Sequence, residues 1–160
     1  MQYNIWREKS SIGLYLSDRG VMLKFTPVAN GGSTKYAWDD SVFFLLSYEE
    51  AGKIASAYDF LVNGVKVDYR FIHDTSKISG SKTKTMKEVR LATDPDKQIA
   101  YIGLFVDKDK VVSSALSIGD LYVVKKLIDT AIEQFVLSKR EQDNGSAVDD
   151  EVEPPDDMPF

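Results

Sequence analysis

The stretch SIGLYLSDRGVMLKFT, residues 11–26, already indicates which class of fold to expect. Apolar side chains fall on every second residue before and after Asp18-Arg19-Gly20, which is the period of a strand with one buried face. Asp and Gly favour tight turns, so the stretch is predicted to form an antiparallel hairpin. The chain should therefore open with a sheet rather than with helices.

The pattern changes from strand to helix near residue 47. An extended run is predicted over residues 35–46, after the turn Asn30-Gly31-Gly32-Ser33. Ser47 and Glu50 then form a capping box, and apolar residues follow at helical spacing. Asn63-Gly64 is predicted to end this helix.

A second series repeats the same order of elements. A second capping box, Ser117 with Asp120, should start a helix that runs to about Ser138. Before it, strands are predicted near residues 65–73, 83–93, 99–106 and 111–116. Because the turns are too short for parallel crossovers, the prediction is an α+β fold with two four-stranded antiparallel β-sheets, each followed by a helix (ββββα-ββββα).

Charge divides the chain near residue 140. Residues 1–140 hold all 20 Lys and Arg and carry +3, whereas residues 141–160 hold no base and carry −8. Gly145-Ser146 and Pro154-Pro155 interrupt helices, so we predict a folded domain over 1–140 and a disordered acidic tail over 141–160. This layout is typical of a nucleic-acid binder whose tail competes for its own groove, and equally of a near-neutral body with a solvated tail.

The tail ends in an apolar tip, Asp156-Asp157-Met158-Pro159-Phe160. A partner with a small apolar pocket and a basic rim would hold the terminal ring and the acidic side chains together. The tip resembles that of bacterial single-stranded-DNA-binding proteins, which recruits replication and repair enzymes. The alternative is a solubilising tail with a chance terminal Phe. The candidate partner-binding residues are Asp156, Asp157, Met158, Pro159 and Phe160.

Several classes of function lack the residues they need. The chain has no cysteine, which fits a reducing cytoplasm, and its start, Met1 to Asn4, has no basic segment or apolar run typical of a signal peptide. His73 is the single histidine, and without a second imidazole or a cysteine it cannot build a metal or catalytic site. We expect it instead to form a hydrogen bond with the Asp74 region at the end of its strand. We therefore predict no enzyme activity, no cofactor and no metal.

Several short motifs stand in a consistent order over roughly residues 3 to 137. They are Tyr3 to Ile12, the strand Gly20–Ala29 with its Phe-x-Pro, Lys35-Tyr36-Ala37-Trp38, Phe43 to Ser47 with Glu50 and Gly52 downstream, Phe71-Ile72-His73-Asp74, and the basic strand Lys82–Arg90. In this order they resemble the Whirly family of single-stranded-DNA-binding proteins, whose fold is shared with positive cofactor four. In the first motif, Arg7 and Glu8 stand where the family has Lys and Gly; the family's higher-order assembly is associated with that motif.

The resemblance implies that DNA runs along the sheets and between protomers. A sequence-independent site needs cations along the strand's backbone and aromatic faces for unstacked bases. In the first strand, alternation places Tyr3, Arg7 and Lys9 on one face of the sheet and Trp6 on the other. In the basic strand, it places Lys84 and Arg90 on one face and Lys87 on the opposite face. The alternatives are lysines that serve solubility alone, and a Trp38 that belongs to the core. The candidate DNA-binding residues are Tyr3, Trp6, Arg7, Lys9, Lys24, Lys35, Tyr36, Trp38, Lys82, Lys84, Lys87 and Arg90.

The sequence thus predicts a non-enzymatic, sequence-independent single-stranded-DNA-binding protein. It should protect exposed strands in DNA replication, recombination or repair and recruit partner enzymes through its tip. We expect a homo-oligomer, tetramer before dimer, in the cytoplasm of a bacterial cell or of a host cell infected by a phage. Two alternatives are a transcription regulator of the same fold and a protein-interaction module without DNA binding.

Overall fold

The structure, a computed structural model, describes residues 2–7, 10–17, 19–29, 36–75 and 85–145. Within these ranges the chain forms two series of strands, each followed by a helix. In chain order the elements are β1 (Gln2–Arg7), β2 (Ser10–Ser17), β3 (Gly20–Pro27), β4 (Val42–Leu46), α1 (Tyr48–Val62), β5 (Asp68–Asp74), β6 (Met86–Asp94), β7 (Ile99–Val106), β8 (Asp109–Ser117) and α2 (Ile118–Gly145).

The strands form two antiparallel sheets in which each strand pairs with its neighbour in sequence. The orders are β1-β2-β3-β4 and β5-β6-β7-β8. The predicted fold class, with two four-stranded antiparallel sheets each followed by a helix, is confirmed. The hairpin predicted from residues 11–26 is also confirmed, with Leu14 opposite Leu23.

The inner faces of both sheets and the buried sides of both helices share one hydrophobic core. Ile12 and Phe25 contribute to it from the first sheet and Val89 and Leu104 from the second. Strand alternation therefore leaves the other face of each sheet on the surface of this protomer. These outer faces carry the residues considered below.

Both predicted capping boxes are present. Ser47 Oγ accepts from the Glu50 N–H at 3.2 Å, and the Glu50 carboxylate accepts from the Ser47 N–H at 2.8 Å. Ser117 and Asp120 repeat the exchange at 3.1 and 2.8 Å. Each box satisfies N–H groups that a helix start leaves without an internal partner, which explains why α1 and α2 begin where the sequence predicted.

Some predicted boundaries were wrong. The run 35–46 is not continuously extended, because Trp38–Asp40 forms a turn of 3₁₀ helix before β4 begins. The second helix continues past Ser138 to Gly145, so the first residues that we assigned to the tail are the last of α2. The rest of the predicted tail, 146–160 with its tip, lies outside the described residues.

Candidate nucleic-acid interface

Three aromatic rings meet on the outer face of the first sheet. The ring centroids of Trp6 and Tyr36 are 5.1 Å apart, and Trp38 lies 5.7 Å from each of them. Both tryptophans remain about half exposed, Trp6 at 49% and Trp38 at 46%. We call Trp6, Tyr36 and Trp38 the aromatic cluster. Trp38 thus does not belong to the core.

Strand alternation and a few hydrogen bonds place the residues that carry these rings. Trp6 faces outward because its neighbour Ile5 fills the core. The Tyr36 hydroxyl donates to the Arg7 carbonyl at 2.7 Å. Trp38 lies on the 3₁₀ turn, which Ser41 holds through a bond from its Oγ to the Trp38 carbonyl at 2.7 Å and a contact with Thr26 Oγ1 at 2.9 Å.

A lysine lies against the aromatic cluster. Lys24 Nζ is 4.9 Å from the centroid of Trp38 and 5.5 Å from that of Phe43, which is 47% exposed on β4. Strand register places Lys24 between Gly13 and Phe43. In the described part of the chain, no carboxylate forms an ion pair with Lys24. Phe43 was not among the candidate residues, although its place beside the buried Phe44 marks it as outward-facing.

Tyr3 and Arg7 lie on the opposite face from Trp6, as alternation predicted. Tyr3 packs against the core. The Arg7 guanidinium binds the Asp120 carboxylate and donates from Nε to the Ala115 carbonyl at 3.1 Å. The structure therefore uses Arg7 to join β1 to β8 and α2, and does not bring Tyr3 or Arg7 into the aromatic cluster.

Lys87 and Arg90 lie on opposite faces of the second sheet, also as predicted. Lys87 Nζ donates to the Phe43 carbonyl at 3.1 Å and so links the two sheets. Arg90 lies on the outer face beside Glu88. Lys9, Lys35, Lys82 and Lys84 lie outside the described residues, as do all five residues of the predicted tip.

Glu88 is a buried carboxylate on the outer face of the second sheet. Its Oε1 accepts from Nε of Arg90 and from Nε of Arg70, each at 2.6 Å. These hydrogen bonds lower the pKa of Glu88 to about 2. Arg70 was absent from the candidate residues, although its place beside the apolar Phe71 in an alternating strand marks it as outward-facing.

Among the described residues, the partner found for the His73 side chain is Glu50 rather than the expected sequence neighbour Asp74. The Nε2 atom of His73 lies 3.1 Å from the Glu50 carboxylate of α1, and the His73 ring stacks on Phe44 with centroids 4.2 Å apart. Burial raises the pKa of Glu50, but hydrogen bonds from Ser47 and His73 outweigh it, so that pKa lies below its usual range. His73 therefore ties β5 to the start of α1.

The described residues hold neither a metal-ligand cluster nor a membrane-spanning helix. No group of His, Asp and Glu in these ranges is arranged to hold a metal ion. No helix among them is long and apolar enough to cross a membrane.

The outer face of the first sheet suits a ligand with planar groups and negative charge. Exposed aromatic faces stack on planar rings, and an ammonium group beside them attracts anions. The three rings already contact one another, and the Tyr36 hydroxyl is held by the Arg7 carbonyl, so a ligand would meet a partly ordered surface.

Comparison with known proteins identifies relatives of the chain. The family model described as Whirly transcription factor matches residues 4–127, a segment that contains Trp6, Lys24, Tyr36, Trp38 and Arg90. A search of curated proteins found no significant match.

Solved structures of plant proteins share the fold. The plant transcriptional regulator PBF-2 matches with a TM-score of 0.66 at 20% identity, over 92% of this chain and 88% of that chain. WHY3 from Arabidopsis thaliana gives 0.67 at 18% identity, over 92% and 95% of the two chains. WHY1 from Arabidopsis thaliana gives 0.64 at 19% identity, over 81% and 87%. At these identities the matches establish the fold.

Proposed function

The chain belongs to the Whirly family, and from that premise we propose that it binds single-stranded DNA without sequence preference through the outer face of its first sheet. The observation that carries the proposal is the aromatic cluster beside Lys24, with ring centroids 5.1 to 5.7 Å apart. Unpaired bases expose their faces, whereas the bases of a duplex are stacked on one another. Aromatic stacking with a nearby cation is the usual basis of sequence-independent single-strand binding.

A binding assay with a labelled oligo-dT and a duplex of equal length tests this proposal. Wild-type protein should bind oligo-dT more tightly at low salt. Trp38→Ala should lower that affinity about tenfold, since one stacked base contributes roughly 1–3 kcal/mol. The control is Tyr122→Ala, which removes a ring that is similarly exposed, at 46%, on α2. Equal affinity for both DNAs, or equal effects of the two variants, would contradict the proposal.

The role that we propose is protection of exposed strands during replication, recombination or repair. The tail supports this role, because its eight acidic residues all precede the apolar ending Met158-Pro159-Phe160. We propose that Asp156–Phe160 recruits partner enzymes, and that the tail competes with DNA for the basic body. This ending also leads us to propose a bacterial or phage setting and a cytoplasmic location.

Two truncations separate the roles of the tail. Deletion of residues 146–160 leaves α2 complete and should raise the affinity for oligo-dT at low salt, with little effect at high salt. Deletion of Phe160 alone should remove partner capture and leave DNA binding unchanged. If the affinity for oligo-dT is unchanged after deletion of residues 146–160, the tail does not compete with DNA for the body.

Self-association is the second part of the proposal. Phe60 on α1 and Val136 and Leu137 on α2 are large apolar side chains that this protomer leaves exposed. The sheets also end in edge strands that can pair further. We propose a homo-oligomer, a tetramer before a dimer. Light scattering should give the mass of a tetramer for the wild type and a smaller mass for Phe60→Ser/Leu137→Ser. A monomeric wild type would contradict the proposed self-association.

Transcription regulation is the alternative function, and the description of the matching family favours it. Both functions use the same fold, so the preferred DNA distinguishes them. A regulator should prefer one promoter sequence over random single strands in a competition assay. Failure to retain any single strand at low salt would instead favour a protein-interaction module.

A further inference from the structure

The outer face of the second sheet carries a second cluster of cations that the aromatic cluster does not include. Arg70 on β5 and Arg90 on β6 lie directly opposite each other across the strands. Like charges in this position normally destabilise a sheet. A negative charge must therefore offset the repulsion between the two guanidinium groups. Their retention side by side also suggests that they act together on a ligand. We call Arg70 and Arg90 the arginine pair.

Glu88 supplies the compensating charge. Only 4% of the residue is exposed, although it lies on the outer face, because the arginine pair covers it. One carboxylate oxygen accepts from both Nε atoms at 2.6 Å, and the other accepts from Nη2 of Arg90 at 3.2 Å. Two guanidinium groups are thus fixed by one carboxylate. These three side chains carry a net charge of one positive unit, and the Asp68 carboxylate also acts electrostatically on Arg70.

Phe105 packs against one guanidinium group. The Cζ atom of Arg90 lies 4.2 Å from the centroid of the Phe105 ring. Gly103 is opposite Arg90 on β7, and a Cβ atom there would come within 3.3 Å of the Phe105 ring. The glycine therefore leaves room for the ring, and the ring supports the guanidinium group by a cation–π contact.

The arginine pair keeps donors for a ligand. A guanidinium group has five N–H donors. Arg70 uses one of them, and Arg90 two, in hydrogen bonds to Glu88. In the described ranges no other side chain or carbonyl accepts from the pair. Their side chains are 55% and 43% exposed, so a ligand in solution can reach the pair.

We propose that the arginine pair, oriented by Glu88, is a binding site for the phosphodiester groups of a single strand. Planar guanidinium groups held in a fixed orientation match the paired oxygens of a phosphate better than a flexible ammonium does. Glu88 is then a positioning residue that does not touch the ligand. This inference rests on the proposed function and extends it from the first sheet to the second.

The salt dependence of oligo-dT binding tests the site. Arg70→Ala and Arg90→Ala should each reduce the magnitude of the log–log slope by about 0.7, the contribution of one phosphate. Lys53→Ala is the matched control, because it also removes one cation but lies on α1, paired with Glu49. Equal slopes for Arg70→Ala and Lys53→Ala, in a wild type that binds, would overturn the site. A wild type that does not bind would instead overturn the proposed function.

Two further variants test the orientation of the pair. Glu88→Gln makes the cluster more positive, so a site that acts by charge alone would bind DNA more tightly. We expect the opposite, a severalfold loss of affinity, because the guanidinium groups lose their fixed orientation. Arg70→Lys/Arg90→Lys keeps the charge and tests the same point without altering Glu88. Affinity equal to or above that of the wild type in either folded variant would overturn the positioning role.

An oligomer of abasic deoxyribose phosphate separates the two sites. The loss caused by Arg70→Ala should persist with this ligand, since the phosphates remain. The loss caused by Trp38→Ala should disappear, since no base remains to stack. If the effect of Arg70→Ala disappears as well, the arginine pair does not bind phosphate.

Discussion

The Tyr36 hydroxyl donates a 2.7 Å hydrogen bond to the carbonyl of Arg7, whose own side chain binds Asp120 at the start of α2. One residue of β1 therefore contacts the aromatic cluster through its backbone and the second half of the fold through its side chain. The orientation of the exposed rings thus depends on the packing between the two halves.

Tyr36→Phe tests the first part of this link. The ring stays but the hydrogen bond is lost, so the free energy of unfolding should fall by about 1 kcal/mol. Affinity for oligo-dT should fall severalfold, because Tyr36 then holds its place beside Trp6 and Trp38 less firmly. Urea denaturation and DNA binding measure both effects. Tyr122→Phe, on the exposed surface of α2, is the control, and an identical response of the two variants would contradict the account.

Arg7→Ala tests the second part. The variant leaves the half-buried Asp120 without its ion pair, so we expect a loss of about 2 kcal/mol in stability, typical of a hydrogen bond to a charged group. The salt slope of DNA binding should stay that of the wild type, since the guanidinium group is engaged within the protein. A reduced slope with unchanged stability would show instead that Arg7 contacts phosphate.

Glu88 should make stability depend on acidity below pH 5. Its pKa is about 2 in the folded chain and 4.5 ordinarily, so its stabilising effect is complete above pH 4.5 and is lost as the pH falls toward 2. The stability difference between wild type and Glu88→Gln should therefore shrink by about 1–2 kcal/mol over that range, less than the full shift because solvent screens the arginines. Urea midpoints at several pH values measure it, with Glu133→Gln as the control for charge. A constant difference would contradict the assignment.

Gly20→Ala should be among the most damaging small substitutions. Gly20 has φ +149°, and a Cβ atom there would lie 2.1 Å from the backbone oxygen of Leu46. Neither backbone can move without breaking the β3–β4 pairing, so we expect a loss of about 3 kcal/mol. Gly64→Ala is the matched control: its φ is +73° but nothing lies within 4 Å, so only strain of about 1 kcal/mol is expected. Thermal or urea denaturation that ranks the two equally would contradict this reading.

The order of elements was predictable because local patterns encode it. Alternation around Asp18-Arg19-Gly20 and the two capping boxes each depend on residues within a few positions of one another. The boundaries that failed depend on other contacts. The 3₁₀ turn at Trp38 is held by Ser41 and by Thr26 on a different strand.

The candidate site was predictable only in part, for the same reason. Trp6, Tyr36 and Trp38 could be named as candidate DNA-binding aromatics, although the sequence left a core position open for Trp38. Their meeting depends on how the first sheet folds. The engagement of Arg7 depends on Asp120, which is far away in sequence. Arg70 and Glu88 were missed because a carboxylate within a basic strand suggests, from sequence alone, a weaker positive surface. In the folded chain Glu88 instead accepts hydrogen bonds from both arginines and orders them.

Tryptophan fluorescence tests the central claim most directly, because the chain has two tryptophans and both lie in the aromatic cluster. Titration with oligo-dT at low salt should quench the emission to a plateau, as bases stack on Trp6 and Trp38. An equal-length duplex should quench it far less. Unchanged emission while an independent assay shows bound oligo-dT would place the DNA elsewhere and contradict the account.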